Sequence, residues 1–182
     1  PLRVATYCVV AGLRYPKPMQ RIAIITGMAE EAEIFLEGQG ENFEGPSMSV
    51  RRIEFAGKTI AIGSSGIGKV NAASAATWLA REHEADMLMI IGTAGKIGTA
   101  EGDCFIIHEA MQSDYGARRP DGFAHFSAGA IPFGEAKIEA YRAMKLPDIG
   151  LPHARIATAD CFVECPDHAS AATPQTSSAP AG

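Results

Sequence analysis

Three short apolar runs, each running into glycine, constrain the fold of this chain more than any other feature. They are residues 22–26 (IAIIT) before Gly27, residues 59–63 (TIAIG) entering Ser64-Ser65-Gly66-Ile67-Gly68, and residues 87–91 (MLMII) before Gly92. Runs this short and this continuous read as strands buried on both faces, because a helix of the same burial needs more length. Between them lie helix-forming stretches. Residues 28–36 carry Glu30, Glu31 and Glu33, and a helix opened by the glycine turn runs to about His83, with Ala72, Ala73, Ala76 and Leu79 as a small face that can lie close to a sheet. Residues 48–55 and 59–63, joined across Ala56-Gly57-Lys58, predict an antiparallel hairpin. Further strands are expected at 104–108 and 155–159, and an amphipathic helix at 134–145. Strands alternating with helices, with glycine after strand ends, predict a single α/β domain. Its twisted, mostly parallel (mixed) sheet is flanked by helices, with a ligand site along the carboxyl edge.

Composition bounds the function. A chain of 182 residues, 47% hydrophobic and 20% charged, fits one soluble globular domain. The net charge of −5 argues against a nucleic-acid partner, which needs a basic face. No apolar run reaches the length of a membrane span. The four cysteines, Cys8, Cys104, Cys161 and Cys165, show no disulfide or metal-ligand spacing and read as small buried hydrophobes in a reducing cytoplasm. No metal or other cofactor is expected. The two ends differ from the middle. Residues 1–18 are broken by Arg14, Pro16 and Pro18 and precede Met19, which looks like a fresh start. They are expected to be a non-native or disordered extension. Residues 168–182, rich in Ser, Thr, Ala and Pro, cannot bury enough surface to offset their ordering entropy and are expected to be a disordered tail. The folded unit is then 19–167.

The glycine turns exclude two common sites. Residues 63–69 (GSSGIGK) fit the first seven positions of a phosphate-binding P-loop, but Val70 stands where a magnesium-holding hydroxyl is required. A dinucleotide fingerprint fails too, since Asn71 occupies the third glycine position. What remains is a tight turn with free N–H groups at a helix start, suited to polar or anionic ligand atoms. By spacing alone, Glu30, Glu31 and Glu33 read first as a solvated helix face, and a core aromatic after a strand is the lesser reading of Phe162.

The ordered set ITGMAEEAE (25–33), SSGIGKVNAA (64–73), IGTAGKI (91–97), EGDCFIIHEAMQSD (101–114) and TADCFV (158–163) resembles the methylthioadenosine/S-adenosylhomocysteine nucleosidase branch of the nucleoside phosphorylase superfamily, over about residues 19–165. That resemblance implies a purine nucleosidase that hydrolyses an N-glycosidic bond and releases adenine. A phosphate-dependent phosphorylase, or an inactive nucleoside-binding fragment, are the alternatives. It makes Glu31 the base that activates water, a role helped by the favourable dipole early in a helix. Ile67 becomes a ribose-side contact, Thr93, Ala94 and Gly95 the loop beneath nucleoside and nucleophile, Phe162 the ring against the purine and Val163 a backbone partner for the base edge. Lys96 departs from the family's second glycine. Asp160 is implied to order a loop, and Asp103 and His108 carry no implied role. The resemblance also implies a homodimer, with Phe123 and Phe126 of the 115–133 loop closing the partner's pocket. Finally, it implies a later segment with a Met-Glu pair and an acid for the purine, of which no counterpart follows Phe162. The chain therefore reads as incomplete at its C-terminus, with a sheet edge and face left uncovered.

Overall fold

The computed structural model describes residues 3–12, 19–36, 38–45, 48–97 and 101–162. Eleven strands and two helices occur in the described residues, in the order β1 (Arg3–Gly12), β2 (Arg21–Thr26), α1 (Ala29–Leu36), β3 (Glu41–Glu44), β4 (Ser49–Phe55), β5 (Lys58–Ser64), α2 (Lys69–Glu82), β6 (Met87–Lys96), β7 (Cys104–Gln112), β8 (Gly116–Arg119), β9 (Gly122–His125), β10 (Tyr141–Arg142) and β11 (His153–Thr158). Nine of the strands form one mixed sheet in the order β10-β7-β1-β6-β2-β5-β4-β3, with β11 on β7, while β8 and β9 form a separate hairpin.

The three apolar runs become its core. β2 lies between β5 and β6 and is parallel to both. Alternation along β2 divides the two helical layers. Ala23 and Ile25 face α2 through Ala75 and Leu79, together with Met48, Val50 and Ala61. Ile24 packs on the opposite side against Ala32 and Leu36 of α1, with Ile62 beside it. A strand buried on both faces cannot alternate apolar with polar, which is why these runs are continuously apolar. The hairpin of β4 and β5 forms as the sequence predicts, with Phe55 paired to Lys58 across Ala56-Gly57. Both turn residues have positive φ, 50° and 72°.

Four expectations need correction. The reading of residues 1–18 as an extension outside the fold does not anticipate β1, which pairs antiparallel with β6 along its whole length and parallel with β7. The run VATYCVV is rich in residues that favour a pleated, half-buried surface, and that pattern prevails over the broken stretch after it. Residues 134–145 are not a helix. Tyr141 and Arg142 pair with Ala110 and Glu109 of β7, and the N–H groups of Ala143 and Met144 donate to the carbonyls of His108 and Val10. Here sheet hydrogen bonds outcompete local helix propensity. β6 does not end at its glycines but continues through Gly92 and Gly95 to Lys96, because β1 supplies partners that far. Among the cysteines, Cys8 and Cys104 are half-buried, but Cys161 is exposed. Residues 168–182 and Cys165 lie outside the described residues.

Candidate functional site

Glu31 lies in the first turn of α1, and only 9% of it is exposed. Its carboxylate is enclosed by donors. Oε2 accepts the N–H groups of Gly27 at 3.0 Å and Met28 at 3.1 Å, both in the turn after β2. Oε1 accepts the backbone N–H and the hydroxyl of Thr93 in β6, each at 2.9 Å. Four hydrogen bonds to the ionised form offset the desolvation that burial imposes on a carboxylate. Glu30 and Glu33 are exposed, as a solvated helix face predicts. Gly92, the residue before Thr93, has no side chain to block the approach to the carboxylate. A carbon placed at its Cβ position lies 3.3 Å from Glu31 Oε1 and 3.4 Å from Oε2.

The second part of the site is the β5–α2 turn. Gly66 and Gly68 have φ of 77° and 109°, a region that side chains with a Cβ rarely adopt. The turn is joined to the Glu31 region through Thr26, whose hydroxyl bonds the Met28 carbonyl and the Ser64 hydroxyl, while the Ser65 N–H donates to the Thr26 carbonyl. On its other side the turn is fastened to the end of β11. Asp160 accepts the Lys69 N–H at 2.9 Å, and the Lys69 ammonium pairs with both Asp114 and Asp160. The Asp160 N–H in turn donates to Asp114 at 2.9 Å. Burial pushes the Asp114 carboxyl up, but the Lys69 ammonium and the Asp160 N–H outweigh it and hold it below the usual carboxylate range.

Between the turn and the end of β11 opens a cleft of about 410 Å³, bounded by residues 67–71 and 159–162. Ile67 and Phe162 stand on its rim, 61% and 80% exposed. The structure therefore gathers the sequence-derived site residues into two neighbouring groups. Glu31 and Thr93 are in direct contact, and Ile67 and Phe162 share the cleft. Ala94 and Gly95 follow Thr93 along β6 and do not line that cleft, and Val163 lies outside the described residues. Phe126 is buried and cannot be a dimer contact in this arrangement, whereas Phe123 is 41% exposed. Two participants escape sequence reasoning. Asp114 closes a motif but contacts Lys69 only because distant strand ends converge. Tyr7, which faces Gly92 across β1 and β6, comes from a stretch expected to lie outside the fold.

A buried carboxylate held between the turn after β2 and β6, a glycine turn opening a helix and an adjoining open cleft define an α/β protein with a cleft of small-molecule size. The chain belongs to the phosphorylase superfamily, whose sequence pattern matches residues 21–177. Its fold is that of solved nucleosidases. A 5'-methylthioadenosine/S-adenosylhomocysteine nucleosidase from Neisseria meningitidis, in complex with methylthio-immucillin-A, is 26% identical at a TM-score of 0.63, covering 85% of this chain and 71% of that one. The corresponding nucleosidase from Campylobacter jejuni is 21% identical at a TM-score of 0.63, covering 85% of this chain and 70% of that one. A futalosine hydrolase from Helicobacter pylori is 20% identical at a TM-score of 0.58, covering 83% and 73%. Among curated proteins, no sequence matches the chain significantly. No helix among the described residues is long and apolar enough to cross a membrane.

Proposed function

We propose that this site hydrolyses the N-glycosidic bond of a purine nucleoside of the methylthioadenosine or adenosylhomocysteine type, releasing adenine. The observation that carries the reading is Glu31, a buried carboxylate held on one side by the turn after β2 and on the other by Thr93 within β6, and open over a glycine. In that role Glu31 takes a proton from water as water adds to the ribosyl carbon, and its negative charge offsets the positive charge that builds on the ring as the bond to the base lengthens. Phe162 offers a flat apolar face for the base, Ile67 an apolar contact for the ribose side, and residues 93–95 the floor beneath the sugar. The reaction needs no metal or other cofactor. A homodimer, with Phe123 at the contact, completes the proposal.

Water is favoured over phosphate as nucleophile by the charges around the cleft. Among the described residues that line it, the cation is Lys69, and its ammonium is already paired with Asp114 and Asp160. A free cation would favour phosphate, and the paired Lys69 does not supply one. Adenine release from methylthioadenosine, measured with and without inorganic phosphate, tests the reading. Release independent of phosphate supports hydrolysis. Strict dependence on phosphate assigns the site to a phosphorylase, and no release in either condition overturns the enzymatic reading.

A further inference from the structure

Tyr7 is the residue directly opposite Gly92 in the antiparallel β1–β6 pair, so its side chain shares a face with the missing side chain of Gly92. The ring packs with Phe105 and Ile107, which fixes its direction, and its hydroxyl reaches over the glycine. A carbon at the Gly92 Cβ position lies 3.3 Å from Tyr7 Oη, 3.3 Å from Glu31 Oε1 and 3.4 Å from Glu31 Oε2. Three oxygens thus converge on one small space above Gly92. A water needs two to four polar partners and a space of about one probe sphere. Tyr7 is half-buried, and no described residue hydrogen-bonds its hydroxyl, which leaves the O–H free to donate to a water.

We propose that Tyr7 is a positioning residue for the hydrolytic reaction: with Glu31 it seats the attacking water in the space above Gly92. The inference rests on the hydrolytic reading of Glu31 given above. Tyr7 donates its O–H to one lone pair of the water, and the water directs an O–H to Glu31 Oε1. Of the donors on that oxygen, the Thr93 hydroxyl is the one free to turn and make room. The water's second lone pair is left for the ribosyl carbon. As the new carbon–oxygen bond forms, the bond to the purine nitrogen breaks and its electron pair leaves with the base, while the water's proton passes to Glu31. Tyr7 keeps its own proton throughout. Burial, and then the nearby Glu31 charge, push the phenol above its ordinary value, so it keeps its proton and remains a donor at neutral pH.

Tyr7→Phe removes only the hydroxyl and leaves the ring packed on Phe105 and Ile107, which makes it the variant of choice. Crystal structures of the full chain and of Y7F test the seat directly. The expected result is an ordered water within hydrogen-bond distance of both Tyr7 Oη and Glu31 in the native chain, and its loss or displacement in Y7F. Steady-state adenine release from methylthioadenosine should show kcat lowered about three- to tenfold in Y7F, the size of one hydrogen bond, with KM unchanged. An empty space above Gly92 in the native chain, or a water unmoved in Y7F, overturns the proposal. The two readings fail separately. A seated water without adenine release refutes hydrolysis but leaves the seat standing, whereas release that is lost in Glu31→Gln, beside an empty space, keeps hydrolysis and refutes the seat.

Discussion

Replacing Glu31 with glutamine is the substitution whose cost can be worked out atom by atom. The native carboxylate accepts four hydrogen bonds, two on each oxygen. Glutamine keeps one acceptor oxygen and puts an NH2 group in place of the other. If that NH2 faces the turn after β2, two backbone N–H groups, of Gly27 and Met28, lose their acceptor. If it faces β6, only the Thr93 N–H loses it, because the Thr93 hydroxyl can turn round and accept. The second orientation is favoured and leaves one buried backbone donor unsatisfied, at about 1–3 kcal/mol. With a urea slope of about 1–3 kcal/mol per molar, a cost near ~2 kcal/mol moves the midpoint down by about 1 M. Turnover should fall by about 10²–10⁴, the usual effect of removing a general base. Affinity for methylthioadenosine, measured by equilibrium dialysis, should change little, since the cleft between Ile67 and Phe162 is untouched. A variant as stable as the native chain would refute the hydrogen-bond account, and near-native turnover would remove Glu31 from the chemistry.

Phe162→Ala should weaken nucleoside binding by about 1–3 kcal/mol, the range of base–aromatic stacking, and unchanged affinity in a titration would show that the ring does not meet the base. The buried imidazole of His83 is pushed below its ordinary value by desolvation and then by the Arg52 guanidinium. The unfolded chain therefore binds the proton more readily, so the stability tied to neutral His83 is fully present above pH 6.5 and is lost as pH falls below it. Urea midpoints between pH 8 and pH 5 should decline on that limb, and His83→Gln should flatten the decline. Ala56 occupies a hairpin turn at φ 50°, where asparagine is better tolerated. Ala56→Asn should stabilise the chain by up to about 1 kcal/mol, read from the same urea curves, and a loss of stability would show that the turn conformation is wrong.

The sequence by itself determined the parts of this protein whose physics is local. Continuous apolar runs before glycine marked β2, β5 and β6. The Ala56-Gly57 turn set the β4–β5 hairpin, and the small-residue face announced α2. The motif order led to Glu31, Thr93, Ile67 and Phe162, which lie in two adjoining parts of one region. Tertiary structure alone decided what depends on distant partners. Tyr141 and Arg142 join a strand rather than a helix because β7 offers them hydrogen bonds. Phe126 turns inward, and Lys69 finds Asp114 and Asp160 because the ends of β7 and β11 converge on the start of α2. The strand at Arg3–Gly12 is the clearest case. Local composition says that Val4, Tyr7 and Val9 can form a strand, but no periodicity says which strand it will join. Backbone pairing is common to all residues and nearly indifferent to sequence. The identity of the residue opposite Gly92 was therefore fixed only when the sheet closed around it.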